Sequence, residues 1–293
     1  MDIYWLLRDK FPFFLIRLVK NIYFVYARLS FLSKEKEKKQ IELREKRIKQ
    51  ACAMVDIFLA PSRFIKDKFI DFGISQNKIL VSTYGMNPLY FNKIRERGKR
   101  GRMRFAFMGT LLPSKGVHVL INAFSRIKRG NAELKIYGSE RVYKGFERYL
   151  KFIKKNSRNQ NIHFMGGYKN EDIGGIFSEV DVLAVPSIWY ENAPLVIQEA
   201  FLAKTPVIAS RIGGIPELIT DGVNGLLFNP ADVQDLTEKI TYLIGHPEAL
   251  DVFRKNMPLV KRIEINGSEM EELYAGLIAG SSVFNAAYQG LAP

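Results

Sequence analysis

Glu191 and Glu199 stand eight positions apart, with Pro194 between them. Proline is well placed as the first residue of a helix, where its missing N–H costs nothing. Ala193 is then the cap, and it brings no oxygen to the first N–H groups. Those donors lie at the positive end of the helix dipole, which suits an anion. A register shifted by one residue makes Asn192 the cap and weakens the arrangement. Within that helix Glu199 falls among Leu195, Val196, Leu202 and Ala203. A carboxylate on an apolar face needs hydrogen-bond partners. Ligand hydroxyls would serve, and so would a basic side chain from elsewhere in the fold. Spacing alone does not choose between them. Glu191, in turn, is either a surface residue or a group at the helix mouth.

A second stretch carries comparable chemistry. Residues 104–108 read as a strand, and Gly109, Thr110 and then Lys115 and Gly116 follow it. The next helix is announced by Val117, Leu120, Ile121, Phe124 and Ile127 at helical spacing. A glycine-bearing loop between strand and helix can cradle a phosphate, with Lys115 as the cation. It is not a Walker loop, because the lysine precedes the glycine and no Ser or Thr follows it. His118 falls on the polar side of its helix with Asn122 and Ser125, an exposed and inert position.

The elements that must position these groups alternate regularly. Residues 182–185 form a short apolar run suited to a buried parallel strand, broken by Pro186 and Ser187. Residues 207–209 read as the next strand. Residues 133–137 and 161–165 are also strands, and Gly166, Gly167 and Tyr168 close the second of these. Helices are expected over 142–155, 173–178, 231–245 and 248–280. Gly213 and Gly214 make a flexible loop before Pro216 and Glu217 open a further helix. Asp221-Gly222 and Asn224-Gly225 are turn dipeptides around a strand at 226–228. Strand–helix alternation across 104–245 argues for one parallel sheet with helices on both faces. Upstream, residues 55–60 and 78–83 read as strands and 64–72 as a helix. Residues 34–49, rich in Lys and Glu, read as a solvated helix.

Glu191 and Glu199 with seven residues between them resemble a family signature. Pro186-Ser187 lie ahead, Thr205 to Ser210 follow, and Gly213-Gly214-Ile215-Pro216-Glu217 come after. Together they resemble the family 4 glycosyltransferases, which are retaining enzymes of the GT-B fold, and the resemblance runs from about residue 55 to residue 274. It implies an α/β, GT-B-like chain with one complete Rossmann-like parallel-sheet domain preceded by a partial second one. The implied divisions are a partial acceptor-side domain at 1–92, a linker at 93–103, a nucleotide-sugar-binding domain at 104–270, and a crossing helix and tail at 271–293. The implied activity is transfer of a sugar, of hexosyltransferase type, from a nucleotide diphosphate sugar to a polysaccharide or lipid-linked acceptor, with retention and without a metal or other cofactor. By resemblance Glu191 contacts the donor sugar, and the backbone of Asn192, Ala193, Pro194 and Leu195 holds the diphosphate. Glu199 binds the ribose. Lys115, beside Gly109 and Thr110, meets the diphosphate, while Gly166 and Tyr168 lie near the base. Thr110 replaces the arginine the family usually carries, which removes one cationic contact. Glu191 and Lys115 are thus the candidate catalytic residues.

A GT-B enzyme has two complete domains, and the early strands of the first are absent here. The chain is then a piece of a longer protein, or a partner chain supplies the acceptor half, or the protein is a nucleotide-sugar-binding module without turnover. A basic membrane-associated scaffold is a further alternative.

Charge is unevenly placed along the 293 residues. Residues 1–104 hold 24 Lys and Arg against 10 Asp and Glu, while the remainder holds 20 against 20. That asymmetry suits an anionic surface, and no nucleic-acid-binding motif accompanies it. An anionic membrane is the favoured partner. Residues 11–32 are long and aromatic, but Arg17, Lys20 and Arg28 interrupt them on one side. An interfacial amphipathic helix and an ordinary core helix both fit; a spanning helix does not. Cys52 is the only cysteine, so no internal disulfide forms and a reducing compartment is suited. The expected location is cytoplasmic, peripheral on the inner face of the cell membrane.

Overall fold

The computed structural model describes residues 35–92, 94, 101–127, 130, 132–141, 143–157 and 161–279. The amphipathic segment 11–32, most of the linker and the tail 281–293 lie outside the described residues. The chain divides into two compact units between Ile57 and Phe58. Within the first, residues 35–53 form helix α1, exposed along nearly all its length. Glu35–Lys39 at 3.4 Å and Glu45–Lys49 at 2.8 Å are one-turn pairs with the acid placed first, the favourable order. This is the solvated helix that the composition implies.

The second unit opens with a small βαβ motif: β1 (Phe58–Ala60), α2 (Arg63–Asp71) and β2 (Ile79–Val81), the strands paired in parallel. The Ser62 side chain caps α2 by accepting from Ile65 N–H. Gly73, at φ 100°, ends it, with Ile74 N–H reaching back to the Phe69 carbonyl at 3.0 Å; glycine supplies the left-handed turn this closure needs.

The main sheet then runs β3 (Met103–Met108), α3 (Val117–Phe124), β4 (Ala132–Tyr137), α4 (Glu147–Asn156), β5 (Ile162–Gly166), α5 (Ile173–Ser178), β6 (Val182–Val185), α6 (Leu195–Leu202), β7 (Val207–Ser210), α7 (Ile215–Leu218) and β8 (Gly225–Phe228). Helices α8 (Val233–Gly245), α9 (Ala249–Lys255) and α10 (Ile263–Ile278) complete the unit. The sheet is six-stranded in the order β5-β4-β3-β6-β7-β8, and every recorded pairing in it is parallel. Alternate side chains of the central strands feed two cores. Phe105, Phe107, Val182 and Ala184 pack with α3 and α8, whereas Ala106, Met108, Leu183 and Val185 pack with α5 and α6. A strand apolar at every position therefore sits between two helical layers. Each fully buried Phe, Leu or Ile contributes roughly 1.5–3 kcal/mol.

Several boundaries differ from the sequence expectation. Only Phe58–Ala60 of the run 55–60 is strand, because β2 offers three partners and no more. The basic helix starts at Glu147 rather than at residue 142, since Gly145 at φ 88° turns the chain just before it. Helix α8 starts at Val233, where Asp232 accepts from Gln234 and Asp235 N–H. The single helix expected over 248–280 is two helices. Residues 256–262, which include Pro258, run between them, and this segment pairs with residues 85–86: Met86 N–H donates to the Lys261 carbonyl at 2.8 Å and Ile263 N–H to that of Met86 at 3.0 Å. His118 is not exposed. It is half-buried under Tyr149 of α4, with Nδ1 2.9 Å from the phenol oxygen, and burial lowers its pKa.

One carboxylate ties the small motif to the main sheet. Glu217 of α7 accepts from Arg63 N–H at 2.8 Å and from Phe64 N–H at 2.7 Å, the first donors of α2. Glu217→Ala should cost about 1 kcal/mol, the scale of a lost helix cap, and hydrogen exchange should quicken first at the amides of residues 63–66. Unchanged protection there would mean that Glu217 does not hold α2.

Candidate functional site

Strands β3 and β6 are neighbours, but the helices that follow them pack on opposite faces, α3 in one core and α6 in the other. Connections that diverge in this way leave a crevice beyond the strand ends. A cavity of roughly 620 Å³ occupies that place. Among the expected site residues, Gly109, Thr110, Lys115, Tyr168, Glu191, Asn192, Ala193, Pro194, Leu195 and Glu199 line it. Gly166 is not among the lining residues. It closes β5 at φ 78° and accepts from Gly138 N–H at 2.8 Å.

The loops that carry these groups are fixed by close backbone contacts. Gly116 adopts φ 68°, and a Cβ placed there would lie 1.7 Å from the Pro186 carbonyl oxygen. Only glycine lets the loop 109–116 approach the loop after β6 so closely. Ile188 N–H then donates to the Ser114 carbonyl at 2.9 Å. The result is a pairing of the two candidate catalytic side chains: Lys115 Nζ lies 2.7 Å from Glu191 Oε1. The Ser187 hydroxyl donates to the same oxygen at 2.7 Å. From the far side, Gly214 N–H donates to the Glu191 carbonyl at 2.8 Å, and a Cβ at Gly214 would strike the Asn192 carbonyl oxygen at 1.9 Å.

The mouth of α6 corrects the expected register. Pro194, not Ala193, is the cap, at φ −63° and ψ 116°, and no side chain caps the helix. Proline has neither a side-chain acceptor nor an N–H, so the mouth is bare all the same. Leu195 and Val196, just inside it, both line the cavity. The buried side of α6 is Ile197, Gln198, Ala200 and Phe201. Of the apolar neighbours of Glu199, Leu195 is exposed cleft wall, while Val196 lines the cavity and also packs against the core beneath it. Among the described residues the Glu199 carboxylate has no hydrogen bond and no basic partner, and burial pushes its pKa up to about 7. Burial, and then the charge of Glu199, raise Tyr168 to about 12. Lys115 is the only basic residue among those lining the cavity. Among the described residues no group of three or more His, Cys, Asp or Glu is placed to hold a metal.

Ser187, Tyr84, Tyr190 and the glycine pair Gly213-Gly214 also shape the site, yet sequence reasoning assigned them no role in it. For Ser187 the signal was available, four residues ahead of Glu191. Tyr84 arrives from the segment after β2 and had none.

A six-stranded parallel sheet whose connections diverge at its centre is a Rossmann-like domain, the unit from which GT-B folds are built. A family model described as glycosyl transferases group 1 matches residues 91–259, and the chain belongs to that family. It is 31% identical over 210 residues to an uncharacterised glycosyltransferase of Methanocaldococcus jannaschii, covering 71% of this chain and 55% of that one. The chain spans between 46% and 64% of the length of three curated relatives it matches. Sucrose-phosphate synthase from Thermosynechococcus elongatus superposes with a TM-score of 0.70 at 22% identity, covering 81% of this chain and 63% of that one. HepE from Anabaena, solved in complex with UDP and glucose, gives 0.67 at 22% identity, covering 75% and 63%. These likenesses identify the fold.

No helix among the described residues is long and apolar enough to cross a membrane.

Proposed function

We propose that this chain carries the donor half of a retaining family 4 glycosyltransferase, of hexosyltransferase type. It would move a sugar from a nucleotide diphosphate sugar to a polysaccharide or lipid-linked acceptor without a metal. The observation that carries the reading is the convergence of Lys115, Glu191 and the unpartnered Glu199 around the uncapped end of α6. Lys115 and the first N–H groups of α6 face the position of the diphosphate and stabilise charge that develops as it leaves. Glu191, steadied by Ser187 and Lys115, orients the donor sugar. Glu199 accepts hydrogen bonds from the ribose hydroxyls, which answers its lack of a protein partner. Tyr168 closes the base end. The basic first third of the chain would hold the protein against an anionic membrane.

Calorimetry with UDP, run beside a UDP-glucose hydrolysis assay, tests this. Binding with turnover supports the transferase. Binding without hydrolysis or transfer favours a nucleotide-sugar-binding module, and the absence of any nucleotide affinity overturns both.

A pH dependence follows from Glu199. Its folded-state pKa of about 7 stands above the ordinary value of 4.5. Between those values the folded chain keeps a proton that the unfolded chain has lost, so the contribution of this group to stability is fully present below 4.5 and is lost as pH rises through about 7. Ribose hydroxyls prefer the ionised carboxylate, so nucleotide affinity should move the other way. It should rise about tenfold from pH 6 to pH 8 from this group alone, as one ionisation near 7 requires. Glu199→Gln should remove that increment from the UDP profile, leaving only the titration of UDP itself. Superimposable profiles for the two proteins would take Glu199 out of the site.

A further inference from the structure

Two large aromatic side chains remain in water on one of the most tightly fixed loops of the molecule. Trp189 is 66% exposed and Tyr190 56%. Their loop is pinned by the Ile188-to-Ser114 bond, by the Ser187 hydroxyl on Glu191, and by Gly214 behind the Glu191 carbonyl. The rings are ordered with respect to each other. Tyr190 stacks on Phe64 of α2 with centroids 5.4 Å apart and planes 26° apart. Trp189 meets Tyr190 at 5.8 Å and 64°. A nearly parallel pair with one steep ring beside it makes an open corner. Tyr190 also lines the cleft, where Tyr84 joins it.

Nothing in the core requires these rings at the surface, and exposed aromatic groups of this size gain by being covered. The chemistry next to them selects the cover. Glu191 and Asn192 follow directly in the chain, and Lys115 pairs with Glu191. A purely aliphatic occupant would bury polar groups without partners, which costs free energy. A pyranose ring satisfies both demands: its C–H face lies on an aromatic face, and its hydroxyl rim reaches the polar groups. Location distinguishes which sugar. Trp189 and Tyr190 leave the same end of β6 as Glu191, but Tyr190 stacks on Phe64 of α2 and shares the cleft with Tyr84, which follows β2, and neither of those is among the groups given to the donor.

We propose that Trp189 and Tyr190, backed by Phe64, form a subsite for a pyranose ring of the acceptor glycan; this rests on the transferase reading above. The sequence contains two tryptophans, Trp5 and Trp189, so Trp5→Phe leaves Trp189 as the sole indole. The full chain carrying that substitution is saturated with UDP and titrated with methyl α-D-glucopyranoside and methyl α-D-mannopyranoside, with glycerol as the control. The expected result is a saturable blue shift of indole emission with a pyranoside and none with glycerol. In otherwise native protein, Trp189→Ala should leave UDP affinity within about twofold. It should raise the KM for a pyranoside acceptor by about tenfold, the scale of one aromatic anchor.

Failure of UDP to bind overturns the transferase reading and the subsite together. UDP binding with an indole that ignores every pyranoside overturns the subsite alone. A response to UDP-glucose with none to the methyl pyranosides assigns the rings to the donor sugar and overturns the acceptor proposal, as does a glycerol response equal to that of the pyranosides.

Discussion

Asp181→Ala lowers the free energy of unfolding by about 3–5 kcal/mol in urea titration, the range for stripping one partner from a buried ion pair. Arg104, at the start of β3, is 3% exposed. The Asp181 carboxylate accepts from its backbone N–H at 2.9 Å, from Nε at 2.9 Å and from Nη2 at 2.6 Å. The hydrogen bond to Asp181 is the main reason that the guanidinium pKa rises above its ordinary value, against the opposing effect of burial. Removing the carboxylate strands a guanidinium that cannot shed its proton. Asp181→Asn keeps the shape and part of the bonding, so its loss should be smaller. Replacing both residues with apolar side chains of similar volume should recover much of the stability, because neither charge is then buried. A single alanine variant within about 1 kcal/mol of the native protein would mean that the guanidinium finds water or another acceptor, an outcome outside the range expected for a broken buried pair.

On the transferase reading proposed above, Lys115→Ala should reduce the turnover number for UDP-glucose by about 10²–10³-fold, the effect of deleting one group that stabilises transition-state charge. Two causes combine. The only basic side chain among those lining the cavity is lost, and Glu191 loses the ammonium 2.7 Å from its carboxylate. On that same reading, the remaining negative charge would face the diphosphate directly. UDP affinity should therefore fall more than uridine affinity, and adding Glu191→Gln should restore part of the UDP binding. Lys115→Arg keeps the charge but spreads it over a planar fork, so recovery should be incomplete. Equal losses for UDP and uridine would show that Lys115 does not meet phosphate.

Local sequence revealed what local physics decides. The continuous apolar runs of β6 and β7 and the short helix Ile173–Ser178 are where their spacing puts them. Pro194 announced the start of α6 to within one residue, because proline fixes φ wherever it stands. Ten of the eleven expected site residues meet in one cavity, since they belong to loops, and to α6, that follow the same ends of parallel strands. What escaped depends on contacts between distant parts of the chain. Glu217 caps α2 from more than 150 positions away, and no spacing rule reaches that far. His118 looked exposed because its own helix presents it with Asn122 and Ser125; Tyr149, thirty-one positions later, covers it. The break between α9 and α10 was signalled by Pro258, but the partner that stabilises the extended segment is Met86. Gly213 and Gly214 read as a flexible loop, whereas they are tight against the Glu191 and Asn192 backbone. Glycine marks freedom and crowding with the same letter.

The reversal of winding direction at the centre of the sheet has a further consequence. The hollow exists because two adjacent strands send their chains to opposite sides, and no side chain had to be trimmed to make it. Its presence is a property of connectivity, and its contents are a property of side chains. Substituting the residues on its walls should therefore retune what enters without filling the space or bringing down the scaffold, so the specificity of this cleft can drift while its location stays put.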